Sequence, residues 1–263
     1  MISYAQNLED VMLARAFVGV TQGFYIDVGG YDPDNDSVTR FFYDSGWRGI
    51  NVEPVPEQYE EFVRRRPRDV NLRTALGRAD GQLRFHDFSP SGLSTMDPVA
   101  AARLREHGYT CREYDVPVTT LAAVCRAHAP ATIDFLKIDV EGAEGEVIAG
   151  ADWRAFRPRV IVVEATRPLD GTPTHAGWEP VLLEHGYIFV WFDGLNRYYL
   201  RREDADLARY FRAPPNAFDD YQIAEIARLR QEVDRLRHST VTRTIHDLRA
   251  WARRWVNSRR KSQ

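Results

Sequence analysis

Between Phe24 and Phe192, short apolar runs rich in β-branched and aromatic residues give way to helix-patterned segments five or six times in succession. That alternation constrains the fold more than any other feature. Strands joined through helices run parallel to one another, and a parallel sheet needs helices over both of its faces. The expectation is an α/β chain built on a mostly parallel sheet. With 44% hydrophobic residues among 263, there is apolar material for one domain of about 200 residues plus an appendage.

The patterns place the individual elements. Leu8, Val11, Met12 and Ala16 fall at helical spacing. Gly23-Phe-Tyr-Ile-Asp-Val-Gly-Gly30 reads as a strand buried on both faces and closed by two glycines, where the backbone can approach a ligand because no Cβ intervenes. The acidic loop Tyr31-Asp-Pro-Asp-Asn-Asp36 leads to Ser37, a candidate helix cap, and to a helix carrying Val38, Phe41 and Phe42. Arg48–Glu53 is the next strand, Pro56 starts a helix to about Arg66, and Asn71–Gly77 reads as one further strand. After the Asp80-Gly81 turn, Leu83–Phe88 reads as a hairpin partner or a flanking strand, and residues 89–116 read as less regular, with Gly92-Leu-Ser-Thr-Met96 in a loop. Helices over Thr119–Ala129, Ala143–Gly150 and Trp178–His185 separate strands at Ile133–Val140, Val160–Glu164 and Tyr187–Phe192, with Arg197–Leu200 as an antiparallel finish. Pro214-Pro215 marks the end of this body, so the expected division is a domain over 1–220 and a helical tail over 221–263.

Asp27, Glu53 and Asp139 sit at or just after strand ends, the edge at which open α/β sheets bind ligands. Glu53 follows the glycine pair by one βαβ step, where an acid commonly accepts hydrogen bonds from a ribose diol. The run Gly29-Gly-Tyr-Asp-Pro-Asp34 lacks the Gly-x-Gly-x-x-Gly spacing of a dinucleotide site. Its acidic loop would repel a pyrophosphate but tolerate a sulfonium cation. S-adenosylmethionine therefore fits better than a nicotinamide dinucleotide, and a nicotinamide-dependent reductase is disfavoured.

The sequence resembles the FkbM family of S-adenosylmethionine-dependent methyltransferases. The resemblance rests on Tyr4-Ala-Gln6, Phe24-Tyr-Ile-Asp-Val-Gly-Gly-Tyr-Asp-Pro33, Gly46-Trp-Arg-Gly-Ile-Asn-Val-Glu-Pro54, Asp134-Phe-Leu-Lys-Ile-Asp-Val-Glu-Gly142 and Asp193-Gly-Leu-Asn-Arg197. It spans about residues 3–220, and Lys137-Ile-Asp-Val-Glu-Gly142 is its most specific piece. Where the family pattern places an asparagine between Ser37 and Thr39, this chain has Val38. The resemblance implies a class I Rossmann-like methyltransferase fold with a mostly parallel seven-stranded sheet. It also implies S-adenosylmethionine as cofactor, with Asp27, Gly29 and Gly30 at the methionine end, Glu53 on the ribose and Ala75 and Leu76 beside the adenine. Asp139 would lie near the amino group or the sulfonium, with Gln6 and Ser37 as further cofactor contacts. The implied reaction is O-methylation of a hydroxyl on a sugar, glycan or natural-product intermediate.

An oxygen nucleophile gains from a general base. His175, in the loop Asp170-Gly-Thr-Pro-Thr-His175 beyond the strand ending at Glu164, is the candidate base, with Asp139 the second catalytic candidate. Glu164 and Asn196 are candidate substrate contacts. Asp139, Glu141 and Glu164 offer hard oxygen ligands and could form a divalent-metal site. Glu141 could instead cap the next helix, and a metal is not the favoured expectation. Trp178, Trp191 and Phe192 could stack on a sugar, but their strand and helix spacing favours the core.

In the tail, Ile226, Leu229, Val233 and Leu236 follow the 3-4-3 spacing of a coiled-coil seam for about two heptads. Beyond His238 the register breaks, and Ile245, Leu248, Trp251 and Trp255 form an apolar stripe among seven basic residues. Such a helix can rest on an anionic membrane surface or dock on a partner, or can be a solvated helix packing on its own domain or a twin subunit. The net charge of −3 gives no whole-chain reason to expect nucleic acid. Cys111 and Cys125 lack metal-ligand spacing, which makes a reducing cytoplasm the default. The N-terminal residues lack a secretory-signal pattern, and no apolar stretch approaches the roughly 20 residues that span a bilayer. A cytoplasmic chain, with the inner membrane face as an option, is the expectation. A rival reading is a methyltransferase-like scaffold that binds nucleotide or glycan without turnover and recruits partners through its tail. The intact trio Asp27, Glu53 and Asp139 argues against it.

Overall fold

Every second residue of a strand faces the same side of its sheet, and here both sides are apolar. The structure is a computed structural model that describes residues 1–238 together with Leu248 and Arg249. The first half of the chain supplies β1 (Ile2–Ser3), α1 (Glu9–Ala16), β2 (Phe24–Val28), α2 (Arg40–Asp44), β3 (Arg48–Val52), α3 (Pro56–Arg65), β4 (Val70–Leu72), β5 (Ala75–Leu76), β6 (Gly81–Asp87), α4 (Pro98–Glu106) and β7 (Arg112–Thr119). There follow α5 (Leu121–His128), β8 (Phe135–Ile138), α6 (Glu144–Ala149), β9 (Val160–Glu164), α7 (Glu179–Glu184), β10 (Tyr187–Phe192) and β11 (Asn196–Arg201). Residues 224–238 form a last helix, α8. Two compact units result, one of Met1 with Ser3–Asp220 and one of Ile2 with the residues from Tyr221 on.

The main sheet has seven strands in the order β10-β11-β9-β8-β2-β3-β4. It is mixed: β9, β8, β2, β3 and β4 run parallel, and β11 is antiparallel to both β9 and β10. Ile26, Val28, Leu136, Ile138, Ile161 and Val163 form one core with Leu121, Val124, Val147, Ile148 and Leu182. Tyr25, Phe135, Val160 and Val162, the alternate residues, form a second core with Met12, Leu13, Phe42 and Trp47. Within that second core the ring centroids of Phe42 and Phe135 are 4.9 Å apart and those of Phe42 and Trp47 are 4.8 Å apart, close enough to add to simple area burial.

Three expectations about the middle of the chain are corrected or narrowed. Asn71–Gly77 is not one strand. It divides at Arg73-Thr74, so that β4 closes the main sheet while β5 enters a second sheet of order β5-β7-β6. Leu83–Phe88 is the flanking strand rather than the hairpin partner, because β7 lies between, parallel to β5 and antiparallel to β6 over the whole of Gly81–Asp87. Residues 89–116 contain α4, started by Asp97, whose side chain accepts from the Val99 amide, with Pro98 in the first turn. This is a cap-plus-proline signal that is present in the sequence.

Other expectations also change. Ser37 does not cap α2, whose N-cap residue is Thr39. Trp178 lies in the first core and Trp191 packs half-buried against the second, but Phe192 is 41% exposed. The stripe of Ile245, Trp251 and Trp255 falls outside the described residues, and Leu248 is exposed. Cys111 and Cys125 are free thiols. Among the described residues no helix is long and apolar enough to cross a membrane.

α1 carries two buried acids. Asp10 accepts from the Ser3 hydroxyl at 2.7 Å and the Tyr4 amide at 2.8 Å. Glu9 accepts from the Asn7 amide at 2.9 Å and from the Asn196 side-chain amide at 2.8 Å. Burial, reinforced by Asp193, pushes Glu9 from 4.5 up to about 7. Folded protein therefore holds a proton that the unfolded chain releases between those values. The resulting stabilisation is complete below pH 4.5 and is lost as pH rises toward 7. Urea unfolding at a series of pH values should show this decline, and Glu9→Gln should flatten it by up to one proton; identical slopes for both proteins would remove Glu9 as its source.

Candidate functional site

Register brings the site together. Val28 pairs with Val52 on one side and Ile138 on the other, so the residues that follow, Gly29, Glu53 and Asp139, arrive at one edge of the sheet. Their amides continue the ladder: Gly29 donates to Val52, Asp139 to Val28 and Glu53 to Leu72, each at 3.0 Å. A groove of about 1030 Å³, open solvent at its mouth included, lies over these tips. Its apolar side is Val52, Ala75, Leu76, Phe85 and Met96, and its far wall is the loop Ser89–Met96. Tyr31 ties the two lips together by donating its hydroxyl to the Pro90 carbonyl at 2.6 Å.

The glycines serve close packing as well as ligand access. Gly29 adopts φ +80°, and a Cβ there would stand 1.7 Å from the Asp139 carbonyl oxygen. Only glycine lets the tips of β2 and β8 approach this closely.

Of the residues expected to hold a cofactor, Gln6, Gly29, Gly30, Glu53, Ala75, Leu76 and Asp139 all line the groove. Asp27 and Ser37 lie beneath it, almost fully buried. Asp27 accepts from Thr39 at 3.0 Å, and Ser37 accepts from Arg66 at 3.1 Å. Glu164 stands beside Asp139 and Glu141, with carboxylate oxygens of all three within 4.8 Å of one another. His175 opens a single 3-10 turn after the Thr166–Pro173 bridge, half-buried and not among the groove's lining residues. Asn196 closes the turn after Asp193-Gly194, where the Asp193 amide donates to its carbonyl at 3.1 Å. It starts β11, is buried, and spends its amide on Glu9 and on Asp193 at 3.3 Å.

Two cations that position the site carried no role in the sequence reading. Lys137 lies 3.2 Å from Asp139, 3.7 Å from Asp27 and 3.3 Å from the Gly29 carbonyl, to which it donates. Burial works against its ammonium, but Asp139 and then Asp27 outweigh that and hold its pKa above the ordinary range. Arg66 is fully buried. It donates to the Pro33 carbonyl, to Ser37 and to the Thr39 carbonyl while lying over the Tyr43 ring, which fixes the acidic loop that frames the groove. In the sequence Arg66 is one of three consecutive arginines at a helix end, and nothing local marks it as the buried one.

The acids differ in what they have left to give. Glu53 accepts from the Tyr31 amide at 2.9 Å and the Val55 amide at 2.8 Å. That fixes its carboxylate and leaves lone pairs on both oxygens. Burial pushes it up to about 7. Glu141 and Glu164 are pushed well above the carboxylate range, first by burial and then by the charge of Asp139. Glu141 does not cap α6; Glu144 closes that turn by accepting from the Val140 and Gly142 amides at 3.1 and 3.0 Å.

These residues fit S-adenosylmethionine on chemistry. Carboxylates suit a ribose diol, an ammonium and a sulfonium, and the apolar side suits a purine face. Among the described lining residues Lys137 is the one cation, and it is already engaged by two carboxylates, so no free cation is left for a pyrophosphate.

Comparison with known proteins agrees. The family model described as the methyltransferase FkbM domain matches residues 27–189, well over half of the chain, and the chain belongs to that family. No curated protein matches it. Among solved structures, the O-methyltransferase from Bacillus cereus in complex with SAH aligns at 11% identity over 76% of this chain and 81% of that one, with a TM-score of 0.33. A likeness that loose carries no argument about site or mechanism.

Removing the ammonium tests the frame beneath the groove. Lys137→Met strands Asp27 without its counter-charge and should cost about 3–5 kcal/mol of stability, as for other broken buried pairs. Adding Asp27→Asn should recover part of that loss in a double-mutant cycle. Chemical denaturation measures both, and a loss below about 1 kcal/mol would show that Asp27 does not depend on Lys137.

Proposed function

We propose that this chain transfers a methyl group from S-adenosylmethionine to a hydroxyl oxygen, on a sugar, glycan or natural-product intermediate. The observation that carries the reading is the set of strand-tip carboxylates facing an apolar shelf, with no uncommitted cation for a phosphate among the described lining residues. The FkbM family membership supports the methyl-transfer part. The hydroxyl acceptor follows the expectation drawn from the sequence.

Glu53, held by two backbone amides, would accept from the ribose hydroxyls. Ala75, Leu76 and Phe85 would flank the adenine. Asp139, with Lys137 behind it, would face the amino-acid end. When bound, S-adenosylmethionine supplies a methyl on a positively charged sulfur, and transfer leaves the C–S electron pair on sulfur as the acceptor oxygen gains the carbon and gives up its proton. The chain's work is alignment and removal of that proton. His175 and Asp139 are the proposed groups for it, His175 from the loop beyond β9 and Asp139 from inside the groove. Glu164 would contact the acceptor.

Isothermal titration with S-adenosylmethionine should show one site per chain, and Glu53→Ala should weaken it about tenfold or more, the value of a hydrogen bond to a charged group. A panel of sugar nucleotides and glycan fragments should identify an acceptor that releases S-adenosylhomocysteine. With that acceptor, His175→Ala should lower kcat without changing cofactor affinity. A purified protein that ignores S-adenosylmethionine, or that takes up a nicotinamide dinucleotide instead, would overturn the proposal.

A further inference from the structure

Among the described residues two groups of side chains are placed to hold a metal ion, and they differ in one respect. Around His86, Cys111 and Glu113 the cation is already present: the Arg105 guanidinium bonds to Glu113 and lies 3.0 Å from His86 Nδ1 and 3.4 Å from Cys111 Sγ. Around Asp139, Glu141 and Glu164 no side chain among the described residues plays that part for all three. Lys137 reaches Asp139 from the side of Asp27. Glu164 is only 6% exposed, yet its Oε2 has no hydrogen-bond donor, and Glu141 Oε2 is likewise buried without one.

We infer that Asp139, Glu141 and Glu164 form a binding site for a hard divalent cation such as magnesium or manganese. The carboxylate oxygens lie within 4.8 Å of one another, the span of ligands around an ion with oxygen bonds of about 2.1–2.4 Å. A proton shared between Asp139 and one glutamate would leave the buried Oε2 of the other glutamate without a partner, whereas a cation satisfies all three. The donor set is oxygen only, which selects a hard ion over zinc or copper. Asp139 and Glu141 also line the groove, so the ion would sit where the acceptor hydroxyl must come. There it would lower that hydroxyl's pKa. This last role rests on the methyl-transfer reading; the binding of the ion does not.

EDTA-treated full-length protein titrated with manganese chloride, with free Mn²⁺ read by electron paramagnetic resonance, should bind one equivalent. Glu164→Gln and Glu141→Gln, each checked for fold by circular dichroism, should weaken binding at least tenfold. No bound manganese, or unchanged affinity in both variants, overturns the site. Cofactor titration on the same metal-free sample keeps the two ideas apart. Cofactor binding without manganese binding sinks this inference alone, while manganese binding without cofactor binding upholds it and sinks the proposed function.

An independent observation concerns α8. Ile226 and Val233 occupy one seam position and Leu229 and Leu236 the other, in the order that favours two-stranded parallel coiled coils. Ile226, Leu229 and Val233 are 44%, 53% and 45% exposed. The flanking positions are Glu225 and Glu232 on one side of the seam and Arg230 and Arg237 on the other. In a parallel, in-register pair each glutamate meets an arginine of the other helix, five residues on. In an antiparallel pair glutamate would meet glutamate and arginine would meet arginine. The geometry points to a second copy of this chain, docked in parallel along α8.

Sedimentation equilibrium of the full chain should show a concentration-dependent dimer, lost in Leu229→Asp. Arg230→Glu with Arg237→Glu should also abolish it, and adding Glu225→Arg with Glu232→Arg should restore it. Val233→Cys should form an intermolecular disulfide, since in register each Val233 faces its twin. A monomer at every concentration, or charge reversal without effect, would overturn the pairing.

Discussion

The Lys137 ammonium lies under the tips of β2 and β8 between Asp27 and Asp139, and the groove takes both its shape and its sign from that contact. Asp27 is fully enclosed, and its Oδ1 has no hydrogen bond. A carboxylate in that position is tolerable only beside a cation, because desolvation of an isolated charge costs several kcal/mol. The same ammonium donates to the Gly29 carbonyl, so the glycine turn that opens the groove is tied to the ion pair beneath it. Lys137 is shared between Asp27 below and Asp139 at the groove, and the remaining groove carboxylates keep that surface acidic.

The side walls depend on a second buried cation and on a change of sheet. Arg66 gathers carbonyls and a hydroxyl from residues 33–39, converting an acidic loop with no regular structure into a rigid lip. Opposite it, the chain leaves the main sheet at Arg73-Thr74, and β5 pairs with β7 instead. That switch turns Ala75 and Leu76 toward the groove, where Phe85 from β6 completes the apolar shelf. Thr95 closes the far side by donating to the Glu141 carbonyl at 2.8 Å.

The strands and their order of burial were legible because their pattern is local. Phe24–Val28, Val160–Glu164 and the helices between them are set by apolar periodicity that survives in any context. The elements that were misread depend on distant partners. Asn71–Gly77 has a continuous strand pattern, and its division reflects the Thr74 hydroxyl reaching the Pro117 carbonyl 43 residues away. Gly29, Gly30, Glu53 and Asp139 could be placed at the groove because strand ends are legible. Ser37 and Asn196 could not be, since their side chains are taken up by Arg66 and by Glu9, and neither partner announces itself in the sequence.

The sequence by itself determined the α/β architecture, the acidic strand tips and the family, because each is carried by residues close together along the chain. It also set the seam and flanking charges of α8. Only the tertiary structure decided which charges are buried, which carboxylates converge and which cations are already engaged. Those depend on strand register and on contacts between residues far apart, such as Lys137 with Gly29 and Asp27, where differences of one or two ångströms separate a bare carboxylate from a paired one.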